Sequence, residues 1–343
     1  MGSKKYTLQD IAELAEVSRG TVDRVVNKRG KVSAKARANV ERVLKEIDYK
    51  PNLIARSLKR HKDLAIAVII PEHNEHDNYW DQCAQGIQEA GDKLSQFGIV
   101  LHYYHYKKSK ESIASMLSGA IQSVPSAILI APIYFEGLKN LFSEASSKNI
   151  PVGLINTPIE DIKFMTFVGQ DYYQSGRLAA QLMDNLISQT SNSSILVAHL
   201  GVDNDQPTHL QSKESGFKSY FNENNPGLEI KSVSFAADSI LDNLDALLSK
   251  VSGIYVTTSK THLLSNHMGN YPKVKVIGYD LVPKNIEQLR MGNINILLNQ
   301  NPKMQGEAGI NLLSEHLLYN ADITKKKLFP IDIVLTENLE SFL

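Results

Sequence analysis

The chain has 343 residues, of which 42% are hydrophobic, 22% charged and 7% aromatic, with one cysteine; this excludes a disordered chain, a fibrous repeat and a disulfide scaffold, and leaves room for about two to three domains. Basic and acidic residues balance at 37 each, yet residues 1–62 hold 16 Lys and Arg against 7 Asp and Glu. A small basic head thus precedes an acidic body, the asymmetry of a nucleic-acid-binding module joined to a part that repels the same polyanion.

Thr7, followed by Leu8, Ile11, Ala12 and Ala15 at three- and four-residue spacing, predicts a short amphipathic helix, with Asp10 completing its cap. Glu16 to Ser18 break the pattern. Ser18 caps a second helix whose Val22, Val25 and Val26 face inward, which makes a helix-turn-helix. Ser33 caps a third, with Ala36, Val40, Val43, Leu44 and Ile47 as its apolar stripe. In a helix-turn-helix the N-terminal end of the second helix meets base edges in the major groove. Here that end presents Arg19, Gly20 and Arg24. Arg19 can fork onto guanine O6 and N7, and Gly20 permits close approach. Asp23, four residues after Arg19, can steer its guanidinium.

From Leu64 onward short apolar runs alternate with helix-length amphipathic stretches. Leu64 to Ile70, Ile99 to His105, Ala127 to Ala131, Val152 to Asn156 and Met165 to Gly169 are strands of a first half. Ile195 to Leu200, Ile230 to Phe235, Gly253 to Thr258 and Val274 to Gly278 belong to a second. The repetition predicts two lobes of doubly wound parallel sheet with a cleft between them. The longest apolar run, Leu64 to Ile70, is too short to span a bilayer, and no charged-then-apolar leader opens the chain, so export is not expected. Ligands in such folds gather beyond the carboxyl ends of strands, where Glu72 to Trp80, Asn156, Thr157, Asp171, Thr258, Ser259 and Asp280 fall.

Several catalytic signatures are missing. No GxGxxG follows the first strand, no Walker loop or GxSxG elbow occurs, and Cys83 lies in a helix-like stretch as a small buried hydrophobe. Glu72, His73, Glu75, His76 and Asp77 are metal-ligand types, but their spacing matches no helical metal motif. A polar loop at a cleft mouth accounts for them better. His102 and His105 are read as structural.

Tyr6 to Asn27 (YTLQDIAELAEVSRGTVDRVVN) and Lys31 to Leu58 (KVSAKARANVERVLKEIDYKPNLIARSL) resemble the headpiece of the lactose-repressor (LacI/GalR) family. The resemblance implies phosphate contacts from Ser18, Thr21, Asn27, Ser33 and Tyr49, places Thr7 at the same interface, and gives base reading to Arg19, Gly20 and Arg24. Asp23 departs from the small polar residue usual there. Pro51 to Arg60 matches the family's hinge segment, a helix only on the operator, in which Ala55 and Leu58 form the apolar side and Leu58 wedges into the minor groove.

Phe167 to Met183 (FVGQDYYQSGRLAAQLM) is similar to the periplasmic sugar-binding fold that the family shares. By that likeness Asp77, Tyr79, Trp80, Asn156, Gln211, Thr258, Asp280 and Gln300 ring the pocket, with Asp171 added from the strand ends. An aromatic face stacks on a sugar's C–H side, while Asp, Asn and Gln take its hydroxyls. Gln211 stands where many relatives place an arginine, which argues against an acid sugar or phosphosugar unless Lys213 or Lys260 substitutes. Thr258 stands where many place an asparagine.

The expected architecture is α/β: a three-helix helix-turn-helix headpiece (1–50), a hinge helix (51–62), and a two-lobed periplasmic-binding-protein-like body (63–343). Lobe 1 is taken as about 63–170 plus 295–325, and lobe 2 as about 171–294 plus 326–343, with three crossovers. The expected function is that of a cytoplasmic DNA-binding regulator, a homodimer on a palindromic operator, controlled by a neutral sugar. No catalysis, cofactor, metal or membrane partner is expected. Since no heptad-rich tail precedes Leu343, a dimer is expected rather than a tetramer. The competing readings are a metal-dependent enzyme acting on a sugar through His73 and His76, a transport-type binding protein, and a regulator that answers to a purine or other non-sugar effector.

Overall fold

The computed structural model describes residues 6–26, 30–47, 49, 63–72, 78–107, 109–135, 137–187, 194–201, 207–235 and 244–343. In the head, α1 (Leu8–Leu14) starts at a capping box in which the Asp10 amide donates to Thr7 Oγ1 at 3.2 Å and the Thr7 amide to Asp10 Oδ2 at 2.7 Å. α2 (Arg19–Val26) begins after Ser18, whose Oγ accepts from the Thr21 amide at 3.2 Å. α3 (Ala34–Glu46) begins after Ser33, which accepts from the Ala36 amide at 3.3 Å. Each hydroxyl satisfies one of the orphan donors of a helix start. Ile11, Ala12, Ala15, Val22, Val25, Val40 and Val43 close the core of these helices, as the apolar spacing predicts.

Lobe 1 runs β1 (Leu64–Pro71), α4 (Asn78–Ser95), β2 (Ile99–Tyr106), α5 (Lys110–Gln122), β3 (Ala127–Ile130), α6 (Lys139–Ser147), β4 (Val152–Ile155) and β5 (Thr166–Gly169). Lobe 2 runs α7 (Tyr172–Leu186), β6 (Ser194–Leu200), α8 (Thr208–Asn224), β7 (Glu229–Phe235), α9 (Leu244–Leu248), β8 (Gly253–Val256), α10 (Ser265–Met268), β9 (Lys275–Tyr279), α11 (Pro283–Arg290) and β10 (Ile296–Asn299). The chain then returns through α12 (Pro302–Tyr319) and β11 (Lys326–Leu328) to lobe 1, and ends with β12 (Asp332–Val334) on lobe 2.

The sheet orders are β11-β5-β4-β3-β1-β2 and β12-β10-β9-β8-β6-β7. Apart from the terminal strand, each reads 2-1-3-4-5, so the lobes repeat one topology. All pairs are parallel except β12 with β10. Central strands buried on both faces explain the unbroken apolar runs: Ile66, Val68 and Ile70 of β1 enter one core, and Ala67 and Ile69 the core on the other face.

The lobe boundaries differ from the sequence expectation at two strands. Ile296–Asn299 pairs with β9 and so belongs to lobe 2, whereas Lys326–Leu328 pairs with β5 and belongs to lobe 1. Strands of three or four residues carry too little pattern to announce their partner. The three crossovers lie side by side: Gln170 Nε2 donates to Pro330 O at 2.8 Å, and Asn301 Nδ2 to Asp332 Oδ2 at 2.7 Å.

Each lobe also has one very tight helix crossing. A Cβ on Gly86 of α4 would lie 1.9 Å from the Lys303 carbonyl of α12, and one on Gly176 of α7 would lie 1.9 Å from the Lys213 carbonyl of α8. Gly306 and Gly216 make the reciprocal contacts, at 2.2 Å and 2.0 Å. Among the described residues no helix is long and apolar enough to cross a membrane.

Candidate functional site

The carboxyl ends of both sheets face one another across a cleft with about 740 Å³ of space between atoms, part of it open to solvent. Lobe 1 contributes the start of α4 (Tyr79, Trp80), the loop after β3 (Ile133, Tyr134) and the end of β4 (Asn156). Lobe 2 contributes the end of β6, the start of α8, the turn after β8, and the ends of β9 and β10. This is the switch-point geometry of doubly wound sheets, used twice. The lobes also touch directly, with Gln82 Nε2 donating to Leu281 O at 3.2 Å and Thr157 Oγ1 lying 3.3 Å from His209 Nδ1.

On the lobe 1 side Trp80 and Tyr79 meet edge to face, their centroids 5.0 Å apart. Asn156 Nδ2 donates to the Tyr79 hydroxyl at 2.7 Å, and the Tyr172 hydroxyl donates to the Asn156 carbonyl. Both tyrosines are buried, which pushes their phenols well above the usual range and keeps them neutral. On the lobe 2 side Asp280 accepts from Gln300 Nε2 at 2.7 Å and from the Gln300 amide at 3.3 Å. Gln300 Oε1 is buried and has no hydrogen-bond partner among the described residues. An acceptor left so is costly unless a ligand donor fills it.

Lys213 enters the same cavity from α8 at 1% exposure. Its Nζ donates to the Thr257 carbonyl at 3.0 Å and stands 3.5 Å from the centre of the Tyr279 ring. Burial lowers its ammonium to about 7, against the opposing pull of Asp280. His209, one helical turn before it, is pushed down to about 3 by burial and then by Lys213, and is neutral. Thr257 Oγ1 lies 2.7 Å from His199 Nδ1, and His199 Nε2 lies 2.7 Å from Glu214, whose carboxyl is held down at about 2 mainly by that hydrogen bond. The carboxylate therefore accepts from Nε2.

The structure brings Tyr79, Trp80, Asn156, Thr258, Asp280 and Gln300 of the expected ring together. Asp77 lies outside the described residues, as do His73, Glu75 and His76. Two expected residues are corrected. Asp171 is exposed and caps α7, its Oδ1 accepting from the Gln174 amide at 2.9 Å. Gln211 is exposed on the outer face of α8 beside Glu214 and Lys218. At 100° per residue, the inward face passes through His209, Leu210, Lys213 and Phe217, which puts Gln211 on the far side. Lys213, previously only a substitute for a missing guanidinium, and His209, missed altogether, hold that inward place. The spacing of Leu210, Lys213, Phe217 and Phe221 on one stripe was the available signal.

In the head, Arg19, Gly20 and Arg24 are exposed on α2, with Thr21 half-buried beside them. Thr7, Ser18 and Ser33 act as caps; the Thr7 hydroxyl also donates to Asp10 Oδ2 at 2.9 Å, and the Ser18 hydroxyl lies 3.0 Å from that of Thr21. Tyr49 packs against the head core. Asn27, Ala55 and Leu58 lie outside the described residues. Cys83 is buried and its thiol is pushed up to about 12, in keeping with a packing role.

Two sequence families match the chain. The one described as periplasmic binding protein domain matches residues 66–321, and the one described as bacterial regulatory proteins, lacI family, matches residues 7–52. Catabolite control protein A of Staphylococcus aureus (strain Mu50) is 29% identical over 192 residues, 56% of this chain and 55% of that protein. The chain thus spans about half the length of the curated relatives it matches. A solved protein from Bacteroides fragilis, assigned as a LacI transcriptional regulator, superposes with a TM-score of 0.77 at 26% identity, covering 82% of this chain and 100% of that one. A carbohydrate transporter solute binding protein from Agrobacterium radiobacter, in complex with D-arabinose, has a TM-score of 0.70 at 21% identity, covering 82% and 97%. At that identity the likeness concerns the fold alone.

Proposed function

Because the chain belongs to the periplasmic binding protein domain family and carries a lacI-family bacterial regulatory domain at its head, we propose that it is a cytoplasmic transcriptional repressor whose operator affinity is set by a small carbohydrate bound between its lobes. The observation that carries this reading is one chain's pairing of two sites: the exposed Arg19, Gly20 and Arg24 on a capped helix-turn-helix, and a polar cleft lined from both lobes. The first reads base edges in a major groove. The second closes on a ligand only if both lobes bond to it, so ligand energy is available to move the lobes.

The protein acts as a homodimer, because a palindromic operator needs two heads related by the same two-fold axis. Hydroxyls of the carbohydrate pair with Asp280, Asn156 and the unfilled Gln300 Oε1, and Trp80 lies under its C–H face. The test is fluorescence anisotropy of the full chain on palindromic operator candidates, with and without a sugar panel. Tight, salt-sensitive binding that a sugar shifts supports the reading. Purines as the sole effective ligands would replace the carbohydrate, and absence of any DNA affinity would remove the regulator.

A further inference from the structure

We propose that His209 joins the effector to the closed lobes through one ring: its Nδ1–H donates across the cleft to Thr157, and its Nε2 accepts a hydroxyl of the bound carbohydrate. This rests on the carbohydrate reading above and gives it a specificity-determining residue at the start of α8.

The hydrogen on Nδ1 follows from a chain of side chains that begins in lobe 1. Asn156 Nδ2 donates to the Tyr79 hydroxyl at 2.7 Å, which turns its Oδ1 toward Thr157, and Thr157 Oγ1 donates to that oxygen at 3.1 Å. Thr157 is buried, and a hydroxyl has one proton. Spent on His209 instead, that proton would leave two oxygens facing each other at 3.1 Å and the buried Asn156 Oδ1 without a donor. Thr157 Oγ1 is therefore the acceptor in its 3.3 Å contact with His209 Nδ1.

A neutral imidazole carries one hydrogen, so the ring nitrogen without it is an acceptor. His209 is neutral, because burial and then Lys213 push it down to about 3. Its Nε2 is thus a lone-pair acceptor on a half-buried residue that lines the cleft. The Tyr172 ring lies against the imidazole with centroids 5.5 Å apart, which restricts its rotation. Gln300 Oε1, buried and without a partner among the described residues, asks for a second donor just after β10. A polyol meets both requirements.

The two bonds of the ring reinforce each other. A hydroxyl donating to Nε2 polarises the imidazole and makes Nδ1–H a stronger donor to Thr157. Thr157 belongs to lobe 1 and His209 to lobe 2, so this bond exists only while the lobes are together. The effector therefore favours the closed arrangement by strengthening a contact of the protein itself, in addition to its own bonds to each lobe.

The first test uses the full-length protein without ligand: long-range proton–nitrogen correlation spectra of the histidine rings, with His209 assigned by its loss in His209→Asn. The expected tautomer is Nδ1–H. An Nε2–H tautomer would mean that the Asn156 amide is turned over and that Thr157 donates to His209, and it would overturn the acceptor. The second is calorimetric titration with common hexoses and pentoses and, for each sugar that binds, its monodeoxy derivatives. His209→Asn keeps a donor near the Nδ1 position and removes the Nε2 acceptor, so it should weaken the parent sugar about three- to tenfold, the range of one neutral hydrogen bond. One monodeoxy derivative should bind the wild type more weakly by the same factor and lose nothing further in His209→Asn. Thr157→Val should weaken the sugar although Thr157 is not a lining residue; unchanged affinity there would overturn the link to closure. Circular dichroism confirms that both variants fold. Losses in His209→Asn that are the same for every derivative would overturn the contact and leave the carbohydrate reading standing, whereas no binding by any sugar would overturn both.

Discussion

Asn156 and Asp280 occupy the same position in the two lobes. Each follows the fourth strand in the 2-1-3-4-5 order, and each has left-handed backbone, with φ of 66° and 67°. Each sends its amide to the neighbouring strand, Asn156 to Val168 O at 2.9 Å and Asp280 to Leu298 O at 3.0 Å. The repeat thus delivers two short polar side chains to opposite walls of one cleft. Asn and Asp adopt this backbone more readily than other side chains, so structure and ligand chemistry select the same residue types.

That backbone separates two substitutions. Asp280→Asn keeps the tolerated conformation and removes the charge, so it should fold with little loss yet abolish the effector's thermal shift. Asp280→Ala should lose the same shift and also cost about 1–2 kcal/mol of stability from the left-handed strain. Denaturant midpoints of the two variants decide this; equal midpoints would mean that the φ at 280 carries no strain.

Lys213 gives the stability curve a defined slope. Its folded-state value of about 7 lies below the ordinary lysine value of about 10.4, so between these limits the unfolded chain binds more protons and stability rises with pH. Lys213→Met lacks this term. The stability of the variant relative to wild type should therefore fall as pH is raised from about 7 to 9.5, the midpoints being compared at each pH. A constant difference would show that Lys213 keeps its proton throughout.

Gly176→Ala should destabilise lobe 2 by about 1–3 kcal/mol or more, since the added methyl meets backbone rather than a movable side chain. Because the obstructing atom is the carbonyl of Lys213 itself, effector affinity should drop as well. Gly227→Ala, with nothing within 4 Å of the added methyl, is the control. Matching midpoints for the two variants would mean that α7 and α8 separate freely.

The nine strands read from the sequence and the three capped helices were legible, most of the strands because burial on both faces of a parallel sheet leaves apolar runs, and the helices because caps fix their starts. Which lobe a strand joins was not: Lys326–Leu328 is exposed and polar, and only pairing with β5 assigns it. The cleft was half legible. Residues at strand ends are placed by topology, so Asn156, Thr258 and Asp280 arrived where expected. Gln211 and Lys213 sit on a helix, where an error of two residues turns the side chain by about 200° and from cleft to solvent. Asp171 misled because a carboxylate after a strand serves equally as a helix cap.

The last prediction concerns the two residues that begin α2. A Cβ on Gly20 would have Ser18 Oγ at 3.9 Å as its nearest neighbour, and the position is exposed. Nothing in the chain itself therefore requires glycine there, and within a helix alanine is favoured by about 0.5–1 kcal/mol. If the glycine serves close approach to DNA, Gly20→Ala should leave the head as stable or more so while weakening operator binding. Arg19→Ala should leave stability unchanged but cost about 1–3 kcal/mol at one base pair of each half-site, as the loss of a bidentate guanine contact does. A library of single-base operator variants, titrated with both proteins at fixed salt, separates the two. Loss confined to one position assigns Arg19 to base reading, whereas equal loss at every sequence would move it to the phosphates. Unchanged operator affinity in Gly20→Ala would mean that the backbone of α2 stands clear of the groove.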